Sequence, residues 1–106
     1  MTIKETTALL NEDREAALFD AIASLRDAGE VQRFLADLCT RKELSEFSER
    51  WMIARLLAMG THSYREISAL TGASTTTIGR VARFLEQEEH QGYRMVMDRL
   101  KAPPQK

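Results

Sequence analysis

Hydroxyl and guanidinium side chains crowd one stretch of this 106-residue sequence. It reads Ser63-Tyr64-Arg65-Glu66-Ile67-Ser68-Ala69-Leu70-Thr71-Gly72-Ala73-Ser74-Thr75-Thr76-Thr77-Ile78-Gly79-Arg80-Val81-Ala82-Arg83-Phe84-Leu85-Glu86. Ser74 suits a helix N-cap, and Thr75, Thr76 and Gly79 keep the start of that helix small and hydroxylated. N-terminal amides and hydroxyls match phosphate oxygens. Arg80 and Arg83 can reach guanine edges or phosphates. Tyr64 and Arg65 open the preceding segment, where a first helix crosses a nucleic-acid backbone. A structural helix start needs one cap, and threonine has modest helix propensity, so Ser74 followed by three threonines is in excess of capping. The chemistry on offer is contact with duplex DNA. An αα-hairpin with a hydroxylated surface is the other reading of the same pattern.

The elements that hold these groups follow from punctuation and periodicity. Ile67 and Leu70 are expected on the inner face of a first helix, Gly72 in the turn, and Ile78, Val81, Ala82 and Leu85 on the inner face of a second. That spacing predicts a helix-turn-helix at about residues 63–86. Elsewhere Leu18, Phe19, Ile22 and Leu25 keep helical spacing, as do Val31, Phe34, Leu35 and Leu38. Leu44, Phe47, Trp51, Ala54 and Ala58 make a third row, and Tyr93, Val96, Met97 and Leu100 a last one. No β-branched run alternates long enough for a strand.

Thr40-Arg41-Lys42-Glu43 and Ser63-Tyr64-Arg65-Glu66 both read as capping boxes. Asn11 is expected to cap a helix with acids in its first turn. Gly29, Gly60 and Gly72 each follow a periodic segment, and Gly92 separates the last two. The expected fold class is all-α with six helices, at about 12–27, 30–38, 41–59, 63–70, 74–87 and 91–101. Residues 1–11 and 102–106 are expected to be flexible, with Pro103-Pro104 stopping the last helix. The third helix carries a second apolar row, Met52, Leu56 and Met59. A helix apolar on two sides needs cover on both, from a second subunit or from central burial in one chain.

Charge is unevenly spread. Residues 1–49 carry 6 basic and 11 acidic side chains, while residues 50–83 carry Arg50, Arg55, Arg65, Arg80 and Arg83 against Glu66 alone. A basic third inside an acidic chain points to a local polyanion contact, or to chance clustering of few charges. No apolar run is long enough to span a membrane, the first residues lack the pattern of a signal peptide, and the lone Cys39 fits a reducing cytoplasm. An enzyme is not expected. His62 and His90 read as surface residues and Cys39 as a small buried group. No Cys-x-x-Cys or His-x-x-x-His pair supports a metal, and no Gly-rich loop suggests a phosphate cradle.

Asp37-Leu38-Cys39-Thr40, Glu43-Leu44, Arg50, Leu56-Leu57, Gly60, Tyr64-Arg65-Glu66-Ile67 and the block from Thr71 to Val81 together resemble the Trp repressor superfamily, and its TrpR-like YerC/YecD branch in particular. Gly92-Tyr93 and Asp98-Arg99-Leu100 match that branch too. The resemblance covers about residues 12–101. It implies a Trp-repressor-like fold in an intertwined homodimer, acting as a transcriptional regulator, a repressor by analogy, at a palindromic site on double-stranded DNA. DNA-contacting residues are then Tyr64, Arg65, Ser74, Thr75, Thr76, Gly79, Arg80 and Arg83. A protein–protein interaction module that kept the fold is the alternative.

The resemblance also bears on a ligand. In the Trp repressor proper an indole lies between two arginines, at positions matched by Arg50 and Arg80; Thr40 and Thr77 match two further pocket positions. Here Val81 stands where that family has a glycine, Phe84 replaces a small serine, and Asp37 takes an apolar position. Two larger side chains should fill or close the pocket. That argues against a tryptophan corepressor, and leaves Arg50 and Arg80 for phosphates, an ion pair or a different ligand.

Overall fold

A computed structural model describes residues 1–101 and places them in helices α1 (Ile3–Leu10), α2 (Arg14–Ala23), α3 (Ala28–Leu38), α4 (Arg41–Met59), α5 (Tyr64–Thr71), α6 (Thr75–Glu86) and α7 (Gly92–Lys101), with no strand among the described residues. The all-α class stands; the count rises from six to seven. The stretch expected to follow Pro103-Pro104 lies outside the described residues. The chain divides into two units, Met1–Thr40 and the part from Arg41 onward.

The first unit holds α1 to α3, and none of the three helices contains a buried residue. Residues expected to be flexible carry α1, because Thr2 caps it. The Thr2 hydroxyl accepts from the Glu5 amide at 3.1 Å and donates to the Glu5 carboxylate at 3.1 Å. Asn11 ends this helix, its N–H returning to carbonyls of the last turn. The cap of α2 is therefore Asp13, whose carboxylate accepts from the Glu15 and Ala16 amides at 3.0 and 3.1 Å. Gly29 does not close α2, as expected, but lies in the first turn of α3. Asp27 caps that turn by accepting from the Glu30 amide at 2.9 Å, which starts α3 ahead of the glycine.

The second unit has one core. Ile53 and Ala54 from α4, Ile67 from α5, Ala73 from the turn, Ile78, Val81 and Leu85 from α6 and Met97 from α7 are all buried. Half-buried Trp51, Leu56, Leu57, Ala58 and Tyr93 pack against them. Helix α6 lies against α4, α5 and α7. The Trp51 and Tyr93 rings stack with centroids 6.3 Å apart and planes at 26°, joining α4 to α7. Burial of one such aliphatic side chain contributes roughly 1.5–3 kcal/mol.

Two core positions differ from expectation. Leu70 is 65% exposed rather than inward. Gly72 takes φ +78 and turns the chain so that Ala73, 5% exposed, enters the core beside Ile67 instead. Ile53, which belongs to neither apolar row of α4, is fully buried, whereas Phe47, Met52 and Met59 remain exposed. Gly60, at φ +74, ends α4 as expected of a residue without Cβ.

Leu85→Ala should cost about 3 kcal/mol of unfolding free energy, because it empties a site closed on every side. Leu70→Ala should shift stability by less than about 0.5 kcal/mol. Urea denaturation of both variants checks the contrast; equal losses would show that Leu70, not Ala73, closes the core.

Candidate nucleic-acid interface

The buried face of α6 dictates what its other face can present. With Ile78, Val81 and Leu85 turned inward, Thr75, Thr76, Arg80 and Arg83 are left exposed. The helix starts where Ser74 accepts from the Thr77 amide at 3.1 Å. The Ser74 and Thr77 hydroxyls also bond each other at 3.1 Å, so Thr77 is spent on the cap. Thr75 and Thr76 have no such partner among the described residues, and their hydroxyls face solvent. An added Cβ at Gly79 would meet nothing within 4 Å, so the glycine keeps this surface low without being required by packing.

The turn before α6 is held by side chains of α5. Thr71 donates to the Ile67 carbonyl at 2.8 Å and accepts from the Ala73 amide at 3.2 Å. Ser68 donates to the Ala73 carbonyl at 2.7 Å. These bonds satisfy backbone groups that the change of direction would otherwise leave bare, and they fix where the α6 N-terminus points.

Helix α5 begins in the expected capping box. The Ser63 hydroxyl accepts from the Glu66 amide at 3.1 Å, and the Glu66 carboxylate accepts from the Ser63 amide at 2.9 Å. The Ser63 amide and then its hydroxyl hold the Glu66 carboxyl below its ordinary value, with a smaller contribution from His62. Tyr64 and Arg65 stand exposed in this first turn. The structure thus places all eight expected contact residues, Tyr64, Arg65, Ser74, Thr75, Thr76, Gly79, Arg80 and Arg83, on the α5–turn–α6 unit.

The arginines are not equivalent. Arg80 lies over the Phe84 ring at 4.6 Å, and Arg83 approaches the same ring at 5.0 Å. Arg83 also pairs with Glu88 at 3.3 Å. Phe84 was expected only to fill space, and its hold on two arginines is not legible from its size alone. The signal was the i, i+4 spacing of Arg80 and Phe84.

Arg50 and Arg80 line the same open cleft of about 510 Å³, together with residues of α4, α6 and α7, Trp51, Phe84 and Tyr93 among them. Arg50 leans on Phe47 at 5.6 Å. The expected closure by Val81 and Phe84 is incomplete. Val81 is 1% exposed because it belongs to the core, and Phe84 forms a wall of the cleft rather than a plug. Of the other two expected pocket residues, Thr77 is absent from the lining and Thr40 ends the first unit. Cys39, expected to be buried, is half-buried at the C-cap of α3, and His62 is half-buried with its ring 3.2 Å from the Thr61 hydroxyl. No helix among the described residues is long and apolar enough to cross a membrane.

Two solved structures share this helical fold. The solved TrpR-like protein of Eubacterium eligens superposes with a TM-score of 0.78 at 37% identity, over 92% of this chain and 99% of that one. A candidate Trp repressor from Staphylococcus aureus superposes with a TM-score of 0.77 at 33% identity, over 99% of both. The Bacillus subtilis protein YerC, itself uncharacterized, is 44% identical over 84 residues, 79% of each chain. The family described as Trp repressor protein matches residues 14–101, and the chain belongs to that family.

A depressed Glu66 pKa means that the capping contact stabilises the fold while pH stays above 4.5, the ordinary glutamate value, and that this contribution fades as pH falls below it. The difference in Tm between the wild type and Glu66→Ala should therefore narrow on acidification through that range. A constant difference from neutral pH to pH 3 would show that the charge on Glu66 has no part in the cap. Ser74→Ala should cost about 1 kcal/mol in the same assay at neutral pH.

Proposed function

We propose that the protein is a sequence-specific DNA-binding transcriptional regulator that acts as a homodimer through a helix-turn-helix formed by α5 and α6. The observation that carries the reading is the division of α6. Its inner face is wholly buried, and its outer face presents the unspent hydroxyls of Thr75 and Thr76, the low surface at Gly79 and the guanidinium of Arg80. A helix N-terminus with uncommitted hydroxyls suits phosphates, and an arginine one turn further along suits a guanine edge. Arg65 and Tyr64 contribute phosphate contacts from the start of α5. The TrpR-like and Trp repressor descriptions of its structural neighbours support the same reading, with repression as the mode.

The homodimer follows from apolar surface left uncovered. In the second unit Met59 is 61% exposed and Leu100 72%, both on one open cleft lined by α4 and α7, and in the first unit Phe19 is 63% exposed. Exposed apolar surface of this kind is the mark of an interface. In a two-fold dimer the two α6 helices would meet successive major grooves, and the operator would be a palindrome with half-sites about one helical turn apart. Tryptophan is not the proposed effector. The ground is the change of residue type, Val81 for a glycine and Phe84 for a small serine, and not closure of the cleft, which stays open at about 510 Å³. A cytoplasmic location follows from the proposed role.

Electrophoretic shift on fragmented genomic DNA, with sequencing of the retained fragments, tests the reading. Retention of a palindrome with or without added tryptophan is the expected result. No retention at low salt would sink it in favour of a protein-interaction role. On the retained site Arg80→Ala should weaken binding by about 1–3 kcal/mol while sparing random duplex. Affinity should also fall steeply with salt as counterions return to the phosphates. An equal loss on random DNA would reassign Arg80 to a phosphate.

A further inference from the structure

Phe84 and Glu88 have no place in the DNA-contacting set, yet both touch its arginines. The Phe84 ring is half-buried, and Arg80 and Arg83 approach it at 4.6 and 5.0 Å. These distances fall within the roughly 6 Å over which a ring face attracts a cation. Arg80 has no carboxylate partner among the described residues, so the ring is what orients it. Arg83 has a second hold: Glu88 takes its Nε at 3.3 Å. The backbone that carries Glu88 is held in place, because the Gln87 and Glu88 amides both donate to the Arg83 carbonyl, at 2.8 and 3.1 Å. Glu86, two residues earlier, pairs instead with Arg94 of α7 at 2.6 Å.

We propose that Phe84 is a positioning residue that sets the direction of the Arg80 guanidinium for DNA, and that Glu88 selects between the two arginines by holding Arg83 back. This rests on the DNA-binding reading of α6. Both arginines stand on one aromatic platform, but only Arg83 is tethered by a carboxylate. Arg80 is thereby oriented before DNA arrives, which lowers the side-chain entropy lost on binding. Arg83 reaches a phosphate only after its clasp opens. Because the platform is a side chain of α6 itself, orientation of Arg80 needs no small molecule.

The test compares Phe84→Leu, Phe84→Tyr and Glu88→Gln in the full chain. Leucine keeps an apolar group of similar bulk without a ring face, and tyrosine keeps the ring. In the DNA-free protein, NMR signals of the Arg80 side chain should show an upfield ring-current shift that Phe84→Leu abolishes and Phe84→Tyr retains. On the retained palindrome, Phe84→Leu should bind about fivefold more weakly, with unchanged Tm, and Phe84→Tyr like the wild type. Glu88→Gln should bind random duplex about threefold more tightly, with a salt dependence steeper by about one ion, as one more arginine joins the phosphates. Wild-type affinity and an upfield Arg80 shift that persists in Phe84→Leu overturn the platform, and an unchanged salt slope in Glu88→Gln overturns the clasp. Failure of the wild-type chain to bind any duplex overturns the DNA reading and the platform's use together, a result distinct from either.

Discussion

Ile78, Val81 and Leu85 recur on one face of α6 and are each at most 1% exposed. They are held against Ile53 and Ala54 of α4, Ile67 of α5 and Met97 of α7. Everything of functional interest on α6 is a consequence of that burial. A helix has two sides, and once the apolar one is used the other must carry whatever faces the outside. Rotating α6 by one residue would put an arginine or a threonine into a site with no polar partner, at a cost that no surface contact could offset. The core thus acts as the mount for the candidate reading surface, and the distance between chemistry and packing is the width of one helix.

Caps convert that mount into a direction. Ser63 and Glu66 satisfy each other's amides at the start of α5, Ser74 accepts from the Thr77 amide at the start of α6, and Thr71 and Ser68 bind the turn between them. Gly72 supplies the left-handed conformation the turn needs. Each bond is modest, but each gives a backbone group at a helix end or in the turn a hydrogen-bond partner. The same economy explains the threonines. Thr77 is used by the cap, so its hydroxyl is unavailable outside, while Thr75 and Thr76 are left to contact something else.

The first unit is built differently. Its helices are well capped at Thr2, Asp13 and Asp27, yet none has a buried residue. Capping and local hydrogen bonds define where these helices begin, whereas burial is what stabilises a helix in water. The forty residues of this unit hold no buried side chain, and the proposed homodimer would supply their cover.

Local signals determined most of the element plan. The bounds 41–59 follow for α4, and α5 and α6 fall within a residue of expectation, because capping boxes, glycines and a 3.6-residue apolar period are all readable within a few positions. The eight residues expected to contact DNA lie on one short unit for the same reason. Where competing caps stood close together, the sequence was ambiguous: Asn11 and Asp13 could both start α2, and only the prior claim of α1 on the Asn11 amide separated them. Tertiary structure decided the core positions that periodicity left open. Ile53 and Ala73 displaced Phe47 and Leu70, since a turn at Gly72 and the position of α6 across α4 depend on contacts between residues far apart in the chain. It also decided the state of the arginines. Arg50 and Arg80 are 30 residues apart in the chain yet share one cleft. The tether that distinguishes Arg83 from Arg80 exists because the end of α6 bends Glu88 back toward it, a geometry that residue types and spacing do not encode.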